Sequence, residues 1–145
     1  MYLAAVLDAP SELPEGARVL DAGCGGGDFA IGLREAGYEV LGSDASESAI
    51  RTARERGIGR FEQASLDDNL LAPFGHRDIA TIVSVEDFEH LYSPPTFVCR
   101  AHEALSVGGL LMITTPYWGW LECRAGGHRS DGPVAHSDMG GRPYQ

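Results

Sequence analysis

An α/β fold with a Rossmann-like, doubly wound and mostly parallel sheet is predicted by three observations. Short apolar runs alternate with amphipathic stretches along most of the chain. The first run leads straight into a glycine-rich turn, Gly23-Cys24-Gly25-Gly26-Gly27. The first two runs each finish at an acid, Asp21 and Asp44. Open α/β sheets hold nucleoside-bearing ligands at the carboxyl ends of their strands, where these acids fall.

The elements follow in order. A first strand is expected over residues 18–21 and a helix over residues 27–35, stopped by Gly37. A second strand covers residues 39–43. Ser46 can cap the next helix, whose Ala49, Ile50 and Ala53 form one apolar stripe and which ends at Gly57. A short third strand is expected over residues 60–63. Residues 79–84 are a β-branched run suited to burial on both faces. Pro94-Pro95 opens another helix, with Phe97, Val98, Ala101 and Leu105 toward the core. Gly108-Gly109 breaks the chain before a fifth strand over residues 110–115, which Pro116 ends. From Cys123 onward no periodicity remains, and residues 124–133 are polar and glycine-rich.

The bulk numbers bound the function. A chain of 145 residues suits one domain with a single core. A net charge of −10 argues against a nonspecific nucleic-acid binder, which needs a basic face. The apolar run at residues 2–7 is too short to span a membrane and lacks a basic flank. Cys24, Cys99 and Cys123 form no C-x-x-C pair, so neither a zinc knuckle nor a disulfide scaffold is expected. The expected location is the cytoplasm, and the expected partner a small-molecule substrate.

The glycine turn narrows the ligand. A dinucleotide fingerprint needs a third glycine where Asp28 stands. Carboxylates at positions 21 and 28 repel a pyrophosphate, although Asp28 can equally serve the dipole of its helix. The loop suits a ligand with a positive group and no phosphate. S-adenosylmethionine, with a sulfonium and an α-ammonium, fits that description. Asp44 would accept hydrogen bonds from both of its ribose hydroxyls. A nicotinamide oxidoreductase is the alternative that the missing third glycine disfavours.

Residues 16–120 together resemble the class I S-adenosylmethionine-dependent methyltransferases. The likeness rests on Val19-Leu20-Asp21-Ala22-Gly23-Cys24-Gly25-Gly26-Gly27, on Asp44, on the run from Asp78 to Val85, and on the turn and strand from Ala104 to Tyr117. It implies that Gly23, Cys24, Gly25 and Asp44 hold the cofactor, that Asp21 orders the loop, and that Ala45 and Ser84 border the site. Ser65 and Leu66 would lie beside the adenine. Many family members carry an acid where Ser65 stands; Asp67 is either its substitute or a surface acid.

Glu86-Asp87-Phe88-Glu89-His90 and Thr114-Thr115-Pro116-Tyr117-Trp118-Gly119-Trp120 look most like the ubiquinone-biosynthesis type O-methyltransferases. Transfer to a hydroxyl oxygen is the implied reaction, with His90 and Glu89 as catalytic residues. Glu86, Glu89 and His90 at i, i+3 and i+4 share one helical turn and can hold a divalent cation such as magnesium. The alternatives are packing beneath the cofactor, and His90 alone as general base. Trp118 and Trp120 either wall an aromatic substrate or cover a sheet edge.

The likeness stops near residue 120. A methyltransferase core over residues 1–120 and an irregular tail over residues 121–145 are therefore expected, with the last strands of the fold lacking. The fifth strand or its neighbour would then be an unpaired edge. The genetic code allows residues 139–145 to be encoded by codons that, read one nucleotide later, give a family-like G-H-I-K element, so a frameshift near residues 121–124 is the expectation that the coding sequence would test. A truncated, cofactor-binding domain without catalytic activity is the alternative to a working enzyme.

Overall fold

The computed structural model describes residues 13–75 and 78–115, and the backbone of residues 119–124. A six-stranded sheet runs in the order β3-β2-β1-β4-β5-β6. Its strands are β1 (Arg18–Ala22), β2 (Glu39–Asp44), β3 (Arg60–Gln63), β4 (Ile79–Val85), β5 (Leu105–Thr115) and β6 (Gly119–Arg124). β1 to β5 are mutually parallel, and β6 returns antiparallel along β5. The helices are α1 (Asp28–Glu35), α2 (Glu47–Glu55) and α3 (Pro94–Ala104), with a 3-10 turn at Phe88–His90.

Alternation along the strands builds two cores, one on each face of the sheet. Val19, Val40, Val83 and Met112 point to one side, against Ala30 and Leu33 of α1 and Ile50 and Ala53 of α2. Leu20, Leu41, Ile82, Leu111 and Ile113 point to the other, against Phe97, Ala101 and Ala104 of α3. No helix joins β3 to β4 among the described residues. Leu66, Leu70, Leu71 and Phe74 from the intervening turns cover that part of the sheet instead. Fully burying each such large side chain contributes about 1.5–3 kcal/mol, offset by the entropy of ordering the chain.

Local signals hold at the helix ends. Ser46 Oγ accepts from Ala49 N at 3.3 Å, as an N-cap should. Gly37 and Gly57 stand just past the ends of α1 and α2, as their spacing in the sequence predicts, and both take positive φ.

Two expectations are corrected. β5 starts at Leu105 rather than at residue 110, because the Gly108 turn is absorbed as an irregularity in the pairing with β4 between Ile79 and Thr81. Residues 121–124 belong to the sheet, not to an irregular tail: Leu121 pairs Ile113 and Arg124 pairs Leu110. β5 is therefore an interior strand, and β3 and β6 are the edges among the described residues.

Strand order reverses between β1 and β4, since β1 leads outward through β2 and β4 leads the other way through β5. The crevice at such a switch point, above the carboxyl ends of the strands, is the natural ligand position in this architecture.

Candidate cofactor site

The glycine turn leaves β1 at that crevice and is tied to β2. Gly23 N and Cys24 N both donate to Ser43 O, at 2.8 and 2.9 Å. Gly25 N donates to Asp44 Oδ2 at 2.9 Å, while Asp44 Oδ1 accepts from Ser46 N at 2.8 Å. One carboxylate thus links the turn to the start of α2. Gly23 and Gly25 take φ of 85° and 50°, which side-chain-bearing residues rarely adopt. A β-carbon built on Gly23 would also overlap the carboxylate of Asp87. Gly23 is required by both its backbone and its neighbour.

Cys24 is buried and packs with Val40, Ile50 and Phe61. Burial, and next the nearby Asp21 carboxylate, push its thiol up to about 12, so it is not a nucleophile at neutral pH. Its contribution to the turn is its backbone.

Asp21 is the most unusual group in the crevice. It is 1% exposed, and its Oδ2 has no hydrogen-bond partner among the described residues. Burial, then Asp87 and Asp44, raise its pKa to about 7. Asp87, half-buried just beyond β4, is raised to about 6 by burial, then by Asp44 and Glu89. None of the five ion pairs between described residues, Arg18–Glu39, Arg54–Glu62, Arg56–Asp28, Arg60–Glu62 and Arg100–Glu103, includes Asp21, Asp44 or Asp87, although Arg56–Asp28 stands beside Gly27 of the glycine turn. Among the described residues, Asp21, Asp44 and Asp87 therefore cluster without an ion-paired cation of their own. Sequence reading placed Asp21 and Asp44 here but gave Asp87 no role. The only signal was its position just after a buried strand.

The remaining predicted residues lie along the same edge of the sheet. Ala45 is exposed and its carbonyl accepts from Gln63 Nε2 at 3.0 Å. Ser65 Oγ accepts from Asp67 N at 3.2 Å, and Leu66 is buried. Asp67 Oδ1 accepts from Ser93 N at 3.3 Å, so this half-buried acid staples the loop after β3 to the start of α3. Ser84 is fully buried, with its Oγ unpartnered among the described residues.

Two chemical expectations change. Glu86, Glu89 and His90 do not share a helical turn. Glu86 sits before the 3-10 turn at a left-handed φ of 57°, because its N–H is drawn to Thr114 O at 3.0 Å and Thr114 Oγ1 at 3.2 Å. None of the three side chains is buried, and among the described residues no three acids, imidazoles or thiols are placed to share a metal ion. This donor set does not fit a divalent cation. Asp28 pairs with Arg56 Nη2 at 2.5 Å, so the negative character of the crevice comes from Asp21, Asp44 and Asp87 instead.

His102 is exposed, in keeping with a solvated residue. The run at residues 2–7, His76, Trp118, the side chain of Trp120, and residues 125–145 with His128 and His136 lie outside the described residues.

A glycine turn and an acid-lined crevice at the switch point of a doubly wound sheet stand where this architecture holds nucleoside-bearing ligands. The chain belongs to the methyltransferase domain family, whose profile matches residues 2–137. It is 33% identical over 112 residues to the ubiquinone biosynthesis O-methyltransferase of Cereibacter sphaeroides, covering 74% of this chain and 45% of that one. The chain spans about half the length of the curated relatives it matches. Among solved structures, a TehB-like S-adenosylmethionine-dependent methyltransferase from Corynebacterium glutamicum superposes with a TM-score of 0.68 at 29% identity, covering 82% of this chain and 65% of that one. The phosphoethanolamine N-methyltransferase 2 of Haemonchus contortus, solved with S-adenosylmethionine, has a TM-score of 0.68 at 23% identity over 79% of this chain and 27% of that one; it shares the fold.

Proposed function

We propose that this chain binds S-adenosylmethionine at the carboxyl edge of β1, β2 and β4 and transfers its methyl group to a hydroxyl oxygen of a small molecule. The observation that carries the reading is the buried Oδ2 of Asp21, unpartnered among the described residues and close to the carboxylates of Asp87 and Asp44. A buried polar atom without a partner costs about 1–3 kcal/mol, which a cationic ligand recovers. The group fits the residues present. Asp21 and Asp87 suit its positive end, Gly23 and Gly25 present bare backbone for close approach, and Asp44 suits ribose hydroxyls. Ser65 and Leu66 suit the adenine end, with Ala45 and Ser84 at the margin.

When bound, the cofactor supplies a sulfonium-activated methyl group, an electrophile that needs no further activation. The chain must then align an acceptor oxygen and remove its proton. His90 suits the removal of that proton. It stands on the 3-10 turn beyond β4, exposed and on the same segment as Asp87, with its backbone N–H held by Asp87 O at 3.0 Å. Glu89 neighbours it and can orient the imidazole. The hydroxyl preference is supported by the likeness to ubiquinone-type O-methyltransferases. The net charge of −10 favours a small acceptor over a nucleic acid, and no helix among the described residues is long and apolar enough to cross a membrane. A cytoplasmic location belongs to the same proposal.

A second reading is a cofactor-binding domain without turnover, in which Asp21, Asp44 and Asp87 hold the ligand and the exposed His90 and Glu89 take no part in chemistry. Methyl transfer from labelled S-adenosylmethionine to a panel of phenols separates the two. Turnover that falls at least about tenfold in His90→Ala supports the enzyme. Cofactor binding with no turnover on any phenol supports the second reading.

A further inference from the structure

Asp87 is not needed to hold the glycine turn, which Ser43 and Asp44 already secure. Yet it is carried to the face of Gly23 by the left-handed turn at Glu86. Two further observations show a place made for a ligand. Asp21 Oδ2 is buried and unpartnered among the described residues, and Asp87 is close enough to Asp21 to raise its cost of ionisation. The charged groups that Asp87 meets are Asp21 on β1, Asp44 on β2, and Glu86, Glu89 and His90 on its own segment. Only His90 among them can carry positive charge.

We propose that Asp87 selects the charge of the ligand: its carboxylate favours S-adenosylmethionine over the demethylated product, S-adenosylhomocysteine. This rests on the cofactor assigned above and deepens it. Methyl transfer forms a bond from the acceptor oxygen to the methyl carbon. The carbon–sulfur bond breaks, its electron pair stays on sulfur, and the acceptor's proton passes to a base. The cofactor therefore changes from a sulfonium with net charge +1 to a neutral thioether. A third carboxylate that serves only the charged form weakens its hold once the charge is gone. Turnover then includes loss of the feature that Asp87 recognises, which assists product release.

The test is binding, not activity. Isothermal titration of the intact chain and of Asp87→Asn is carried out with S-adenosylmethionine, S-adenosylhomocysteine and sinefungin, in which carbon replaces the sulfur and an amine places a cation where the methyl group stands. The variant is expected to lose roughly tenfold in affinity for the two cationic ligands and less than about twofold for the thioether, the scale of one charge-assisted contact. The preference of the unaltered chain for the cationic ligands is expected to shrink as salt is raised. An unchanged ratio in Asp87→Asn, or an equal loss for all three ligands, overturns the selecting role and leaves the cofactor assignment standing. Should the variant not fold, a salt-independent preference in the unaltered chain overturns it. Failure of the unaltered chain to bind any of the three overturns both.

Discussion

Asp21 is held where ionisation is expensive, and the folded protein loses stability for it. Its carboxyl is pushed to about 7, above the ordinary carboxylate range, first by burial and then by Asp87 and Asp44. The folded state therefore keeps a proton that the unfolded chain has released. Because the native state binds more protons between about pH 4 and 7, stability falls as pH rises through that window and levels off above it. The slope from one such group approaches about 1.4 kcal/mol per pH unit. Asp21→Asn, which imitates the protonated acid, is expected to flatten the decline while keeping the smaller share due to Asp87. Thermal unfolding across the window from about pH 4 to about pH 8 checks this; equal slopes in the two proteins would contradict it. The identities of Asp21 and Asp44 were legible because each ends an apolar run. Asp87 was not, because its significance depends on Gly23, a residue distant in the chain.

Among elements, the turn after β4 is where sequence pattern and tertiary structure part. The spacing of Glu86, Glu89 and His90 reads as one helical face, yet pairing of β4 with β5 takes priority. The bonds from Glu86 N to Thr114 hold position 86 in the left-handed region, and only three residues then form a 3-10 turn. A non-glycine residue there stores strain of about 1–2 kcal/mol. Glu86→Gly should relieve part of it and raise the unfolding free energy by up to about 1 kcal/mol, less the added entropy of the unfolded chain. Urea denaturation measures this, and a loss exceeding about 1 kcal/mol would show that the Glu86 side chain stabilises the turn. The other helices and strands were legible from caps and periodicity. β6 was not: Gly119-Trp120-Leu121-Glu122-Cys123-Arg124 is short and leads into a polar, glycine-rich stretch, and the edge of β5 supplies the pairing that the local sequence does not announce.

At the scale of the whole molecule, two cores fix the sheet and leave its carboxyl edge to function. Helices α1 and α2 close one face, and α3 with the turns before β4 closes the other. The fold class was readable because parallel strands buried on both faces give continuous apolar runs that few other architectures tolerate. Charge distribution was only half readable. The sequence shows an excess of acid, but not that the ion pairs of Arg18, Arg54, Arg56, Arg60 and Arg100 leave out Asp21, Asp44 and Asp87.

The function proposed for this cleft is to hold S-adenosylmethionine through Asp44 and its neighbours. Calorimetric titration of the folded chain and of Asp44→Ala with S-adenosylmethionine tests it most directly, with NADH as the competing ligand. Saturable binding of one S-adenosylmethionine per chain is expected, weakened in Asp44→Ala by about 1–3 kcal/mol, or roughly 5- to 150-fold. Saturable NADH binding by a folded chain that takes up no S-adenosylmethionine would contradict it.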